Sequence, residues 1–581
     1  MPSDFPLADH IYREILKIID VFLIKYDIIL VMVEIHSQAY HADTGKPRLF
    51  TLPLQQFKDM KLLEKQLKGI THKIIYSGVY SLSKLFSESK KLTPTNKKIL
   101  LGNSVCVDKL INLNPDNAND IIDKAITSAQ KFTDENVIEK IIKIVETDGN
   151  IPYIVTTREE IIAHIIRQFI GKGNGRMQIN DLDGKVGTGL KLRDWINEIF
   201  SPNPDFFKVG GSAAHLTKLL DSIGEDVTLT TQHNSSELAA TFKNDKLKFL
   251  SIEDGKIKNK TIVESATPEA PTKINYPIEF KKDIKIIIGK KTYEVKKSDR
   301  IAVVSHYYDK DGNNMDTDPI LNFTDDQLKM IAQNYDYFFA TDPNQLQRIP
   351  QDRYSEISKK MVEQFKILRS SGKLKILFEF SGKFEDLKFF RDVLKGNIDS
   401  FSINDEEFGK ITKNLHEELG LELSKSDDKI IAFYENAFTL AKYLEVERLH
   451  IHGQDIDISI RKNATTEKMK REVLALGYGK LRVVQWLLDR KITPDASDNT
   501  PLTNALKVEG IYKIIQLSNF LHNNNNDGMI HFLTNGFCKI DDEYSLAALP
   551  VKWIYPGGDP IVRTVSAGDT NAGTAVIQSG L

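Results

Sequence analysis

The sequence predicts a mixed α/β protein: a mostly parallel sheet flanked by helices, plus a smaller β-rich portion. Three observations carry this. From Ile301 onward, short apolar runs (IAVVS, YFFAT, KILFEFS, SFSI, LHIHG, VKWIY) alternate with helical stretches; that order marks βαβ units with a sheet covered on both faces. An apolar run broken by Gly102, KILLGNSVCVDKLINL, opens the same pattern near Lys98, as buried parallel strands do. Residues 226–304 instead hold short β-like pieces separated by turn residues: LKFLSI, EDGKIKNK, DIKIIIGKK and TYEV.

Taken in order, residues 1–94 begin with an apolar period near that of a helix (Ile11, Ile15, Ile18, Ile19, Phe22, Leu23) and end in the polar run SESKKLTPTNKK. They read as an extension of unknown role, with docking of another protein as one use. Residues 95–225 start the main α/β domain, with helical stretches at 116–145 and 158–170. Residues 226–304 form a lid-like insert, and 305–581 complete the main domain. Open sheets of this kind bind ligands beyond the carboxyl ends of their strands, which directs attention to residues just after each apolar run.

Composition narrows the partners. The 581 residues carry 78 basic and 80 acidic side chains, so no excess positive charge exists to neutralise a phosphate backbone, and nucleic acid is not an expected partner. The two cysteines, Cys106 and Cys538, make neither a disulfide framework nor a metal cluster and fit a reducing compartment. In the most apolar stretch, Ile15 to Val33, Lys17, Asp20, Lys25 and Asp27 intervene. Each charge at a bilayer centre costs roughly 2.5–3.5 kcal/mol, so no membrane span is expected. The expectation is a soluble, cytoplasmic protein.

Several motifs could carry chemistry. In DPIVRTVSAGDTNAGTAVIQSGL, the small residues Ser566, Ala567 and Gly568 precede Asp569 and an apolar helical tail. Small residues let backbone N–H groups approach an anion at a helix N-terminus, where Asp569 could take a proton from an attacking hydroxyl; it could equally cap the helix. FSINDEEFGKI places Asn404 and Glu407 three apart after a strand, as oxygen donors beside phosphates or as a capping pair. Glu379 ends KILFEFSG, and His450 and His452 share one strand face in RLHIHG. Gly210 and Gly211 precede a helix in VGGSAAHLTKLLDSIG, and Asp108 ends a strand.

In their order along the chain these segments resemble the ADP-dependent glucokinase and phosphofructokinase family, ribokinase-like kinases. GNSVCVD, VGGSAAHL, RLHIHG and DPIVRTVSAGD look especially like its eukaryotic glucokinase branch. The resemblance covers residues 98–581. It implies Asp569 as catalytic base, with Ser566, Ala567, Gly568 and Arg563 around the phosphate. Asn404, Glu407 and Glu379 would hold Mg²⁺, partly through water. Asp108, Gly211, Ser212 and Arg176 would bind the sugar, and His452 would lie by the nucleotide. Ser566 replaces the first Gly of Gly-x-Gly-Asp, Leu377 stands in place of the His of His-x-Glu, and GKGNGRMQI offers Arg176 or Met177 where a glucose-contacting Glu is expected. The implied activity is phosphoryl transfer from ADP to a hexose, releasing AMP, with glucose placed ahead of a sugar phosphate. A phosphofructokinase acting on a sugar phosphate, and a pseudokinase that binds without turnover, are the alternatives.

Overall fold

The computed structural model describes residues 81–581 except 83, 87, 104, 150, 153, 174, 181–189, 203–206, 232–233, 243–245, 269–272, 296–297, 306–322, 342–350, 381–386, 490–507, 524 and 552–566. Most of the 1–94 extension, Arg563, Ser566 and most of the VKWIY run therefore lie outside the described residues.

The chain moves back and forth between two sheets. Strand β1 (Lys98–Asn103) starts the larger one. The chain then builds β2 (Cys106–Lys109), β3 (Ile111–Leu113), β4 (Ile154–Val155), β5 (Arg176–Ile179) and β6 (Phe207–Gly210) of the smaller sheet. It returns for β7 (Asp226–Leu229), β8 (Lys248–Glu253) and β9 (Lys256–Thr261), and leaves again for β10 (Ile274–Phe280). A separate hairpin, β11 (Lys285–Ile288) and β12 (Lys291–Glu294), precedes β13 (Asp299–Ser305), which pairs with β10 and β5. The remaining strands all belong to the larger sheet. They are β14 (Tyr337–Thr341), β15 (Lys375–Glu379), β16 (Ser400–Asn404), β17 (Arg448–His452), β18 (Ile456–Lys462), β19 (Phe537–Lys539) and β20 (Tyr544–Pro550).

The larger sheet has the order β19-β20-β18-β17-β16-β15-β14-β1-β7-β8-β9. Its centre, β17 through β8, is parallel, and both edges turn antiparallel. Parallel strands covered on both faces read as continuous apolar runs, and YFFAT of β14 is buried at all five positions. The smaller sheet runs β4-β5-β13-β10-β2-β6, with β3 beside β10. The expected insert at 226–304 is thus divided: β7, β8 and β9 extend the larger sheet, whereas β10 and β13 join strands contributed from 106–210. IAVVS, expected among the main-domain strands, is β13 of the smaller sheet. The run at 98–113 is three strands in two sheets, changing sheet after Gly102, where an added Cβ would press on Phe338 and Thr230 at 3.2 Å.

Two helices matter most for the site. Helix Ser212–Ser222 packs on β1, β7 and β14, and the C-terminal helix Ala567–Gln578 packs on β15, β16 and β17. They touch each other midway, where a Cβ on Gly573 would lie 2.1 Å from Leu216 Cδ1. Their C-terminal ends are tied together: Gln578 Nε2 donates to Glu225 Oε1 (3.1 Å) and to Thr93 O (3.0 Å), and Thr95 N and Oγ1 donate to the same Glu225 carboxylate. Glu225 immediately precedes β7, and Tyr337, the first residue of β14, donates its hydroxyl to Leu581 O (3.3 Å). Both helices therefore run antiparallel to the strands, side by side, with their N-termini at the carboxyl ends of the sheet.

Beneath the amino end of β17 and the carboxyl end of β18 lies a buried ion triad. Arg448 and Arg461 pair in register, and Glu472 of helix Thr466–Asp489 accepts from Arg448 Nε at 2.8 Å and from Arg461 Nη1 at 2.6 Å. Among the described residues, no helix is long and apolar enough to cross a membrane.

Candidate active site

Register places the singled-out residues along one edge. Thr341 of β14, Glu379 of β15 and Ser402 of β16 lie side by side, and Asn404 of β16 pairs with His452 of β17. All are at or next to the carboxyl ends of parallel strands, toward which the N-termini of the two helices described above also point. Glu379 and His452 are buried, with Oε1 and Nε2 separated by 3.8 Å. Burial, helped by the neighbouring His450 and Lys480, holds the His452 imidazole far below its ordinary value, so it is neutral near pH 7.

Asn404 caps helix Asp405–Leu419, its Oδ1 accepting from Glu407 N at 2.7 Å. The capping reading of this pair is realised. The neighbouring Asp405 turns away to accept from Gln454 N (3.0 Å). Leu377, at the position of the expected His, is buried in the core of β15, so an apolar neighbour supports Glu379 from its own strand.

The sugar-site residues come together on the smaller sheet. Asp108 on β2, Asn275 on β10, Ala302 on β13 and Arg176 on β5 share one face by register. Asn275 Nδ2 donates to Asp108 Oδ1 at 3.3 Å and to Cys106 Sγ at 3.0 Å, while the Cys106 thiol donates to Asp108 at 3.5 Å. Burial raises the Asp108 carboxyl above its usual range, and the bonds from Cys106 and Asn275 and the charges of Arg300 and Arg176 act against that rise. Burial, then the Asp108 charge, push the Cys106 thiol well up, which leaves it protonated. Arg176 Nε is buried and has no hydrogen-bond partner among the described residues.

The double glycine has separate geometric reasons. A Cβ on Gly210 would fall 2.2 Å from Asp108 Oδ1, so any side chain there would displace the carboxylate. Gly211 caps helix Ser212–Ser222 with φ +88°, a conformation L residues rarely adopt. Asp108, Gly211 and Ser212 thus meet where β2 and β6 adjoin. Ala567, Gly568 and Asp569 form the first turn of the C-terminal helix; their side chains lie outside the described set.

Sequence reasoning missed a buried polar network under this edge. Asp457 of β18, fully buried, accepts from Gly453 N (2.9 Å), Lys480 Nζ (2.8 Å) and Asn571 Nδ2 (2.8 Å), and lies 3.7 Å from His450 Nε2. His450 Nδ1 is in turn 3.2 Å from Ser402 Oγ. Burial opposes the Asp457 charge, but Lys480 and His450 hold its carboxyl far below the ordinary range. The histidine pair is therefore divided: His450 belongs to this network, and His452 faces Glu379. The signal available in the sequence was Asn571, an amide two residues beyond Asp569 among the small residues of the C-terminal helix.

No family model matches the chain. The ADP-specific phosphofructokinase of Methanosarcina acetivorans is 23% identical over 305 residues, 49% of this chain and 59% of the relative, so the chain spans less than two thirds of that protein. Among solved structures, the reconstructed last common ancestor of ADP-dependent phosphofructokinases from Methanosarcinales superposes with a TM-score of 0.64 at 18% identity, covering 87% of this chain and 97% of that one. An ADP-dependent kinase in complex with fructose-6-phosphate and ADPβS gives 0.61 at 17%, covering 86% and 97%. A hypothetical ADP-dependent phosphofructokinase from Pyrococcus horikoshii OT3 gives 0.61 at 17%, covering 84% and 98%. At these identities the structures establish the shared fold. The curated relative supports the family read from the motifs, and the glucokinase branch finds no support among these matches.

Proposed function

We propose that this chain, whose likeness to the ADP-dependent glucokinase and phosphofructokinase family is carried by motifs and fold alike, is an ADP-dependent kinase of a sugar phosphate. This reading reverses the order expected from the motifs, where glucose came first. The observation that carries it is the face of the smaller sheet on which Arg176, with its unspent Nε, lies on the same side as Asp108. A guanidinium pairs in bidentate fashion with phosphate, a group glucose lacks. The curated relative and the ancestral structure reported above are phosphofructokinases, and this supports the same acceptor class.

In the reaction, Asp108 and the Gly211–Ser212 turn orient the sugar under the smaller sheet. Asp569 takes the proton of the attacking hydroxyl as that oxygen bonds to the β-phosphorus of ADP. The bond to the bridging oxygen breaks, and AMP leaves. The first turn of the C-terminal helix supplies N–H groups and a favourable dipole to the transferring phosphoryl. Glu379 and Asn404 are oxygen donors at adjoining strand ends, and Glu407 follows in the first turn of the next helix. Mg²⁺ at these residues would be held partly through water and the nucleotide's own phosphates. When bound, the ion would neutralise charge on those phosphates. The smaller sheet acts as a lid whose closure keeps water from the donor.

The test is acceptor kinetics with ADP as donor. The wild type should show a higher kcat/KM for fructose 6-phosphate than for glucose. Arg176→Ala should lower the sugar-phosphate value by about 10- to 10²-fold, as expected for a charged hydrogen bond of about 1.5–3 kcal/mol, and leave glucose nearly unchanged. A wild type that prefers glucose, with Arg176→Ala indifferent to the acceptor, would sink the sugar-phosphate reading.

A further inference from the structure

The first turn of the C-terminal helix is the most consequential backbone in the proposed site, and its anchors can be traced. At its far end the helix is secured by Arg471 Nε to Gln578 O (2.8 Å) and by the Gln578–Glu225 bond. At its near end one anchor is Asn571, two residues beyond Asp569. Its Nδ2 reaches Asp457 Oδ2 at 2.8 Å, and only the amide nitrogen can donate to a carboxylate, so the orientation of the amide is settled by chemistry. Asn571 is also pressed closely against a second helix: a Cβ on Gly479 would lie 2.4 Å from its Oδ1. Asp457 itself cannot drift. Its other oxygen is held by Lys480 Nζ and Gly453 N, and Lys480 also donates to Gly453 O (2.8 Å). Gly453 follows directly on His452, so one carboxylate joins the strand end beside the expected nucleotide position to the helix whose first turn includes Asp569.

We propose that Asp457 and Asn571 are positioning residues that fix the start of the C-terminal helix relative to the β17 strand end, and so set where Asp569 stands against the donor phosphate. This rests on the reading of Asp569 as the base. A buried carboxylate held by three donors, from Gly453, Lys480 and Asn571, favours one arrangement of the groups around it, and displacement of a reacting group by about 1 Å can cost on the order of 10²-fold in rate.

Asn571→Ala should lower kcat by about 10- to 10²-fold while the KM values for ADP and sugar phosphate move less than about threefold. In an Asp569→Asn background the same change should cost little more, because a residue that acts through Asp569 has nothing left to position. Amide hydrogen exchange reads the anchor without activity: in Asn571→Ala, exchange in peptides from 567–578 should quicken and that in 212–222 should not. If alanine at 571 prevents folding, Asn571→Ser, too short to span to Asp457, carries the same expectations. A kcat loss retained at full size in the Asp569→Asn background overturns the proposal, as does unchanged exchange together with wild-type kcat in Asn571→Ala. Undiminished turnover in Asp569→Asn alone overturns the base assignment instead.

Discussion

Replacing Asp569 by asparagine should lower kcat by about 10²–10⁴-fold, the usual contribution of a positioned general base. Asparagine keeps the size and much of the hydrogen bonding of aspartate but cannot accept the hydroxyl proton. Nucleotide affinity should hold or improve, since a negative charge beside the phosphates is removed. Stability should fall by no more than about 0.3–1 kcal/mol, the usual worth of a negative charge in the first turn of a helix. Steady-state kinetics, nucleotide titration and thermal unfolding of the same preparation check all three. Turnover per folded molecule equal to wild type, with a loss confined to stability, would make Asp569 a structural residue of the helix start only.

Glu472→Gln should destabilise the fold by about 3–5 kcal/mol, the usual cost of stripping one partner from a buried ion network. Arg448 and Arg461 are almost wholly buried, adjacent in register, and share this one carboxylate. Glutamine fills the same space but leaves two guanidinium charges without a counter-ion. Burial works against the Glu472 charge, yet the two arginines bring its carboxyl down to about 2 from 4.5. A depressed carboxyl contributes stability above its unfolded value and loses it as pH falls through the folded one. The wild type should therefore weaken between about pH 4.5 and 2, and Glu472→Gln should lack that part of the acid loss. Urea unfolding at pH 7, repeated at lower pH, measures both. A loss under about 1 kcal/mol at pH 7 would show that the arginines find other compensation.

The strands of the larger sheet were legible because parallel strands buried on both faces are written as apolar runs, and YFFAT, KILFE and SFSIN all carry that mark. Their ends were legible too: Glu379, Asn404 and His452 fall at adjoining carboxyl ends as the βαβ pattern requires. The smaller sheet was not, because its strands come from 106–113, 154–179, 207–210 and 274–305. Pairing across such separations leaves no local trace, so a contiguous block from 226 was the natural reading. The double glycine was seen, but its cause was not: Gly210 is required by the Asp108 carboxylate lying over it, a contact that spans 102 residues. Asp457 gave no signal, since an aspartate in QDIDISI looks like the solvated side of an edge strand until β20 and helix Thr466–Asp489 cover it.

The most direct test of phosphoryl transfer from ADP is phosphorus-31 NMR of the purified chain with ADP, Mg²⁺ and fructose 6-phosphate. AMP and a second sugar phosphomonoester should grow in together, one for one, and ATP in place of ADP should give far slower transfer. Inorganic phosphate as the sole new phosphorus product, or transfer from ATP as fast as from ADP, would contradict the account.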